Sequence, residues 1–458
     1  YHIKLRPGTN VAVLNMMLHF IIKSKLYNAD FVRDRTEGFD NFLKEIERQD
    51  VDQLAKVAGV DKQLVKEAAI AYATARNSME FHGLGVTEHE QGSKTVMLIA
   101  DLAMITGNIG RKGVGVNPLR GQNNVQGAAD MGCQPHQGAG YFPVDKTENQ
   151  KFYTEKYGVT HPTKAGLKIP QMFEAAISKE LKGLWIIGED IVQTDPNSAH
   201  VIEAMNSLEL LVVQEIFMSE TAKLATVVLP GTTFLEKDGT FTNTERRIQR
   251  VNRAVPPLPG TKPDGLIVTE MMQKLGFDQP SYDADQVLAE IADIVPFFKG
   301  VTRERLGKLG LQWPVKEDGS DTKILHTEEF KLGKGRLKNF DWKESSEIEA
   351  NQKDYPLILT TSRVLQHYNA ATMTRRTKNI NIVDEDVLLI HPKDAAYRDL
   401  NTGDIGRLYS GRGEVALKVE VTDKVKEGIV FTTFHFPEHM VNMVNGHWKD
   451  EETMCAEY

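Results

Sequence analysis

Residues 113–132 are the part of this sequence best equipped for chemistry on a polar ligand. The run reads Gly-Val-Gly-Val-Asn-Pro-Leu-Arg-Gly-Gln-Asn-Asn-Val-Gln-Gly-Ala-Ala-Asp-Met-Gly and has no helical or strand periodicity. Its glycines let the backbone approach a ligand closely, and its side-chain amides offer both donors and acceptors. Arg120 can hold a carboxylate or another oxyanion through two parallel hydrogen bonds. The alternative is an irregular connection that uses Gly and Asn for its turns, which is the commoner use of these residues.

Acidic and amide side chains follow two apolar segments, 184–187 and 208–213, that the sequence predicts to be strands. The polar residues are Glu189, Asp190, Gln193, Thr194 and Asp195, which follow the first segment after Gly188, and Gln214 and Glu215 after the second. In parallel α/β sheets, ligands bind outside the carboxyl ends of the strands. A carboxylate there can accept the N1–H and N2–H groups of a guanine. The alternative is that the acids begin helices, where the helix dipole favours negative charge.

Residues 236–247 combine turn residues with basic ones. Asp238-Gly239 predicts a hairpin turn, and Arg246, Arg247, Arg250 and Arg253 form the most basic patch of the chain. A patch of this kind is usually a solvated face, and the alternative is a pair of arginines beside a pyrophosphate. We assign no metal ligand in this sequence.

Hydrophobic periodicity predicts an α/β protein. Apolar residues at helical spacing predict a helix that begins near Thr9 or Asn10, either of which can cap it. Apolar strands alternating with helices between 184 and 229 predict a parallel sheet covered on both faces. Short strands between 355 and 434 predict a small barrel. The predicted domains are an α/β domain at 1–121, a parallel α/β domain at 122–232, an irregular segment and linker at 233–350, and the β-barrel at 351–458.

The composition is that of an ordinary globular protein. The chain has 458 residues, of which 41% are hydrophobic and 26% charged, and its net charge is -8. This charge argues against nucleic acid as a general partner. No apolar run reaches the ~18 residues needed to cross a bilayer. The two cysteines cannot form a disulfide framework and suit a reducing, cytoplasmic compartment.

The run that starts at Arg120, Arg-Gly-Gln-Asn-Asn-Val-Gln-Gly followed by Asp-Met-Gly, resembles the signature of molybdenum- or tungsten-dependent formate dehydrogenases. These belong to the superfamily that carries bis-molybdopterin guanine dinucleotide. Blocks starting at His82, Glu236 and His435 match the same pattern in the same order, whereas residues 448–456 depart from it. The resemblance implies doubly wound parallel-sheet domains that bind the cofactor, followed by a C-terminal double-psi-like β-barrel. It also implies oxidation of formate to CO2, or the reverse reaction.

The resemblance assigns roles to residues of this sequence. It implies that Arg120 is catalytic and orients formate, with Gln122 and Asn123 lining the active site. The residues implied to bind the cofactor are Gly85, Gln122, Gly188, Glu189, Asp190, Gln193, Thr194, Asp195, Gln214, Glu215, Asn243, Glu245, Arg247, Thr361, Arg363, Gln366, His367, Tyr368 and Asn442.

The resemblance covers essentially the whole chain but only the later part of the large subunit in that family. We therefore expect a 4Fe-4S cluster, and the cysteine or selenocysteine that ligates the metal, to lie upstream of Tyr1. This chain by itself is expected to be inactive. The implied partners are electron-transfer subunits of the iron–sulfur, diaphorase or hydrogenase type, without nucleic acid or a membrane span.

Two rival functions stay open on the sequence. One is another molybdopterin oxidoreductase such as a nitrate reductase, which we do not expect to carry the Arg-Gly-Gln-Asn-Asn run. The other is a cofactor-free structural homologue within a respiratory complex, which the intact dinucleotide loops disfavour.

Overall fold

The computed structural model describes residues 1–458, which contain 18 α-helices and 17 β-strands. The α-helices are α1 (Asn10–Lys23), α2 (Ala29–Arg35), α3 (Phe39–Glu47), α4 (Val51–Ala58), α5 (Lys62–Thr74), α6 (Leu84–Thr87), α7 (Gly92–Ile105), α8 (Val125–Asp130), α9 (Thr147–Tyr157), α10 (Ile169–Ile177), α11 (Ile191–Thr194), α12 (Ser198–Ser207), α13 (Glu220–Lys223), α14 (Asp264–Lys274), α15 (Ala284–Ile294), α16 (Arg303–Leu306), α17 (Ser346–Asn351) and α18 (Pro392–Tyr397).

The strands are short. They are β1 (Thr36–Glu37), β2 (Met79–His82), β3 (Gly115–Pro118), β4 (Gln137–Gly138), β5 (Phe142–Pro143), β6 (Gly183–Ile187), β7 (Leu210–Glu215), β8 (Val227–Pro230), β9 (Gly239–Thr242), β10 (Arg247–Val251), β11 (Leu311–Gln312), β12 (Gly335–Arg336), β13 (Ile358–Ser362), β14 (Val387–Ile390), β15 (Ile405–Tyr409), β16 (Glu414–Val421) and β17 (Ile429–Thr433).

The chain divides into two compact units. Unit 1 combines residues 1–119 with residues 324–458, and unit 2 is residues 120–323. None of the helices is long and apolar enough to cross a membrane.

The helical half of unit 1 is built on α1. The 3.6-residue spacing of its apolar side chains places Val11, Leu18 and Ile21 in a core that α3 and α7 complete. Thr9 occupies the N-cap position, as predicted, but its hydroxyl donates to the Arg6 carbonyl instead of capping the helix. Strands β2 and β3 pair in parallel, with Phe81 opposite Asn117.

The other half of unit 1 is one mixed sheet of five strands in the order β13-β17-β14-β16-β15. Strands β13 and β17 are parallel, β14 and β17 antiparallel, and β15 and β16 form an antiparallel pair. Alternation along β16 buries Val415, Leu417 and Val419 and leaves the residues between them exposed. The C-terminal β-domain that the sequence predicts thus consists of this five-stranded sheet.

Unit 2 contains the predicted parallel sheet, in the order β6-β7-β8. Ile186 lies beside Val213, and Val213 lies beside Val228. The helices α10 and α12, which pack together, contribute buried apolar residues such as Phe173 and Val201. The parallel arrangement brings the carboxyl ends of β6 and β7 to one edge of the sheet.

One local prediction in unit 2 is wrong. Asp238-Gly239 does not form the hairpin turn, because Gly239 is already the first residue of β9 and Asp238 accepts a hydrogen bond from the Arg253 amide. The turn of the β9–β10 hairpin lies at residues 243–246 instead. Its residue Arg246 has φ +65°, and the Asn243 amide closes the turn on the Arg247 carbonyl.

Candidate functional site

The Arg120 segment opens unit 2 as an irregular stretch that leads into α8. Asn124 takes a left-handed conformation (φ +61°), and its side-chain oxygen accepts a 2.9 Å hydrogen bond from the Thr242 amide. Gly127 is required in α8 because a Cβ atom there would collide with that same Asn124 oxygen. These contacts anchor the start of α8, and the side chains of Arg120, Gln122 and Asn123 are exposed on the stretch that leads into it.

The carboxylate of Asp190 accepts hydrogen bonds from the protein itself. The sequence alone did not decide whether this residue recognises guanine or caps a helix. Its Oδ1 accepts hydrogen bonds from the Thr221 amide (2.8 Å) and hydroxyl (2.7 Å), and its Oδ2 accepts one from the Glu220 amide at 3.2 Å. These amides belong to the first turn of α13. The buried carboxylate thus stabilises the N-terminus of α13, whereas it makes no capping hydrogen bond to α11, the helix that Asp190 itself begins.

The neighbouring acids at the end of β6 are arranged differently. Glu189 is exposed at the turn that follows Gly188, whereas Asp195 is half-buried after α11. Burial, with the negative charge of Glu189 adding to it, raises the pKa of Asp195 to about 7. A ligand that donates hydrogen bonds to both carboxylates lowers the repulsion between them. Gln193 is buried in α11 and Thr194 donates its hydroxyl to the Asp190 carbonyl, so both hold the turn.

The end of β7 carries a buried amide oxygen without a partner. Gln214 donates from Nε2 to Asp264 at 2.7 Å, and its buried Oε1 accepts no hydrogen bond. Glu215 accepts the Ile216 amide at 2.7 Å, and burial raises the pKa of its carboxyl. Asp264 also pairs with Lys237. Glu189, Asp195 and the Gln214 oxygen are therefore the acceptors at this edge that lack a full set of protein donors.

Asn243, Glu245 and Arg247 bond to one another. The Asn243 side-chain oxygen accepts the amides of Glu245 (3.1 Å) and Arg247 (3.0 Å), and Arg247 Nε donates to Glu245 at 2.8 Å. These bonds build the β9–β10 turn. A pyrophosphate role for Arg247, which remains a prediction, would draw on the guanidinium nitrogens that face away from Glu245.

The end of β13 in unit 1 and the loop that follows it present buried donors. The Thr361 hydroxyl and Arg363 Nε are buried without hydrogen-bond partners. The Arg363 guanidinium lies over the Phe434 ring at 4.6 Å and 4.0 Å from the Glu88 carboxylate. Tyr368 is exposed farther along the loop.

The remaining predicted residues of unit 1 have varied surroundings. His367 is anchored within the protein, with its Nε2 at 2.8 Å from the Val383 carbonyl and its Nδ1 at 3.0 Å from the Thr374 hydroxyl. Asn442 is buried, and its side-chain oxygen accepts a bond from Asn445. The Gln366 side chain is half-buried, and a Cβ atom at Gly85 would meet open space.

His435 and Asp386 support this loop and were not assigned to the site from sequence. His435 is fully buried, and its Nε2 accepts the Val364 amide at 3.1 Å. Burial, and then the nearby His367, lower the pKa of His435 to about 4, so the imidazole stays neutral at pH 7. Asp386 accepts the amides of His435 and Phe436. The one sequence signal was the His435 motif block.

Comparison with known proteins places these features in a family. Residues 1–274 match the molybdopterin oxidoreductase family, and residues 357–458 match the molybdopterin dinucleotide binding domain. The chain belongs to the molybdopterin oxidoreductase family.

Several individual relatives are formate dehydrogenases. The chain is 42% identical to the F420-dependent formate dehydrogenase subunit alpha of Methanocaldococcus jannaschii, over 98% of this chain and 67% of that protein. It is 34% identical to formate dehydrogenase H of Escherichia coli, over 95% of this chain and 62% of that protein. Among solved structures, acetylene hydratase from Pelobacter acetylenicus shares the fold, with a TM-score of 0.73 at 18% identity over 99% of this chain and 69% of its own.

The residues present fit a molybdenum or tungsten pterin dinucleotide. A nucleotide base needs acceptors such as Glu189, Asp195 and the Gln214 oxygen. Phosphates and the pterin need donors such as the Thr361 hydroxyl and Arg363 Nε, which are buried without a hydrogen-bond partner within the protein. Buried polar atoms without partners are uncommon in native proteins and indicate a missing ligand or water.

Proposed function

We propose that this chain supplies the cofactor-binding and formate-binding part of a formate dehydrogenase catalytic subunit. The reaction is HCO2⁻ going to CO2, two electrons and a proton, or its reverse. The observation that carries the proposal is the exposed Arg120 just before the anchored start of α8, in a chain whose relatives include formate dehydrogenases.

Arg120 performs the substrate-binding role in this proposal. Its planar guanidinium matches the two oxygens of formate and holds them by two hydrogen bonds. Gln122 and Asn123 stand beside it and add amide donors and acceptors, which distinguish formate from apolar molecules of similar size. The bound metal–pterin group supplies the acceptor for the two electrons.

The proposed cofactor is bis-molybdopterin guanine dinucleotide with molybdenum or tungsten. Glu189 and Asp195 are the proposed guanine acceptors, and Thr361 with Arg363 the proposed donors to the pterin or its phosphates. A 4Fe-4S cluster takes four cysteines in the usual case, and this chain has two, both free. We therefore place the cluster on residues outside this chain.

The proposal extends to partners and location. Two electrons leave the site in each turnover, so an iron–sulfur, diaphorase or hydrogenase subunit is the proposed recipient. A cytoplasmic location is supported by the sparse use of cysteine.

The test is to purify the full-length protein that contains this chain and assay it with formate and with nitrate, using a viologen dye as redox partner. We expect formate-dependent dye reduction, bound pterin, and molybdenum or tungsten. Nitrate turnover without formate oxidation would favour the nitrate reductase alternative. Protein without metal or pterin would favour the structural homologue.

A further inference from the structure

Arg363, in the loop after β13, is a largely buried cation whose carboxylate neighbour stands beyond hydrogen-bond distance. Its side chain is 26% exposed, and its buried Nε has no hydrogen-bond partner. The Oε2 atom of Glu88 lies 4.0 Å from Arg363 Nη1. That separation lets the two charges attract each other but is too long for a hydrogen bond. Glu88 therefore balances the charge of Arg363 without using its hydrogen-bond donors.

Phe434 supports the Arg363 guanidinium from a second direction. Strands β13 and β17 are parallel, and Ser362 lies beside Thr433 at their carboxyl ends, so Arg363 and Phe434 leave the sheet side by side. The Arg363 Cζ atom lies 4.6 Å from the centre of the buried Phe434 ring. The electron-rich face of a ring attracts a cation and leaves its N–H groups free to bond elsewhere. The guanidinium is thus held in place by a contact that an incoming ligand need not break.

Glu88 is largely buried as well, with 18% of its side chain exposed. Its backbone is fixed at the end of α6, where its amide donates to the Leu84 carbonyl at 2.8 Å. Burial raises the pKa of the Glu88 carboxyl, and the positive charge of Arg363 opposes that rise. Each side chain therefore offsets part of the cost of burying the other's charge. An anion that approaches Arg363 meets the negative charge of Glu88 at the same cation.

We propose that Glu88 is the resident counter-ion of an anion-binding site at Arg363, and that an anionic phosphate group of the ligand replaces it as the partner of the guanidinium. This inference rests on the proposed function, in which Arg363 donates to the pterin or its phosphates. Phe434 keeps the guanidinium in position during the exchange. Glu88 spares the empty site an unpaired buried cation, and it weakens the binding of the anion that displaces it.

A second arginine of unit 1 has the same neighbours in an exposed setting. Arg407 lies over the Tyr409 ring at 4.8 Å, and its Nη1 is 3.3 Å from the Glu414 carboxylate. The side chains of Arg407 and Glu414 are 64% and 62% exposed. Solvent and salt screen such a pair, so removing its carboxylate changes little. Glu414 is therefore the matched control for Glu88.

Calorimetric titration with sulfate, a divalent anion that stands in for a phosphate group, tests the proposal in the full-length protein purified without cofactor. Binding at the site is the part that Arg363→Gln removes. We expect Glu88→Gln to bind sulfate at this site about tenfold more tightly than the wild type, because the amide keeps the shape and removes the repelling charge. The Glu88 side chain accepts no hydrogen bond from the protein, so the variant is expected to fold. Glu414→Gln is expected to keep the wild-type affinity.

The direction of the change separates a counter-ion from other roles of Glu88. Structural damage, or a carboxylate that accepts a hydrogen bond from the ligand, would lower affinity in Glu88→Gln. Unchanged or weaker sulfate binding in Glu88→Gln would therefore overturn the inference, as would wild-type sulfate binding in Arg363→Gln. Both results leave the proposed function standing, because it is decided by the pterin content and formate oxidation of the full-length protein.

Discussion

Replacing Asp190 by Ala separates a helix cap from a ligand contact. In the structure this carboxylate accepts three hydrogen bonds from Glu220 and Thr221 at the start of α13. A hydrogen bond to a charged group contributes ~1.5–3 kcal/mol, and such bonds to one carboxylate do not add fully, so we expect a local loss of ~3 kcal/mol. The loss falls on α13, because its first amides then lie buried without an acceptor.

Amide hydrogen exchange over residues 216–225 measures this loss directly. A loss of ~3 kcal/mol speeds exchange through local opening by roughly 100-fold, at ~1.4 kcal/mol for each factor of ten. Glu189→Ala is the matched control, because the adjacent carboxylate accepts no hydrogen bond from the protein. We expect the control to keep wild-type exchange and to lose pterin dinucleotide in the full-length protein. Wild-type exchange in Asp190→Ala, together with lost cofactor, would refute the capping role.

Three further predictions concern single residues, two of them buried titratable groups and one a glycine in close contact with a neighbouring side chain. Burial raises the pKa of Glu80 from 4.5 to about 8. The folded state therefore binds more protons than the unfolded state between these pH values, and the free energy of unfolding falls as pH rises through them. Glu80→Gln should raise the free energy of unfolding at pH 7 by ~3 kcal/mol and flatten the pH dependence of the thermal midpoint. Burial lowers the pKa of His435 from 6.5 to about 4, so stability is lost as pH falls between these values, and limited proteolysis of the loop at residues 362–369 should accelerate there. Gly127→Ala should cost ~2 kcal/mol, because the new methyl group displaces the Asn124 side chain from Thr242, and thermal unfolding beside an Ala128→Gly control measures it.

Elements whose burial follows a simple period were predictable from the sequence. The apolar spacing of residues 11–21 predicted α1, and the apolar runs predicted β6 and β7 within about two residues of their observed ends. The C-terminal strands were predictable for the same reason, since β16 alternates between buried and exposed residues. These patterns are local, and tertiary contacts reinforce them.

Features set by distant contacts were not predictable. The Asp238-Gly239 pair looks like a hairpin turn, but Asp238 is engaged by the Arg253 amide and the turn moves to residues 243–246. Thr9 has an alternative acceptor in the Arg6 carbonyl and so does not cap α1.

The candidate site shows the same division. The sequence motifs located Arg120 and the loop after β13, because these combinations of residue types are unusual at any position in a protein chain. The sequence does not show that the Asp190 carboxylate is hydrogen-bonded to α13, whereas the Glu189 carboxylate is not. It also does not show that Glu88 lies 4.0 Å from Arg363, which belongs to a distant part of the chain. Such pairings depend on the folded geometry alone.

The central claim is that Arg120 binds formate through a two-pronged contact. The most direct test is kcat/KM for formate in the full-length enzyme carrying Arg120→Lys, which keeps the charge and loses the planar fork. Arg336→Lys, an exposed arginine in unit 1, is the matched control. We predict a loss of about tenfold or more, which is ~1.4 kcal/mol, in Arg120→Lys alone and with full cofactor content. Unchanged kcat/KM in a fully loaded Arg120→Lys enzyme would contradict the claim.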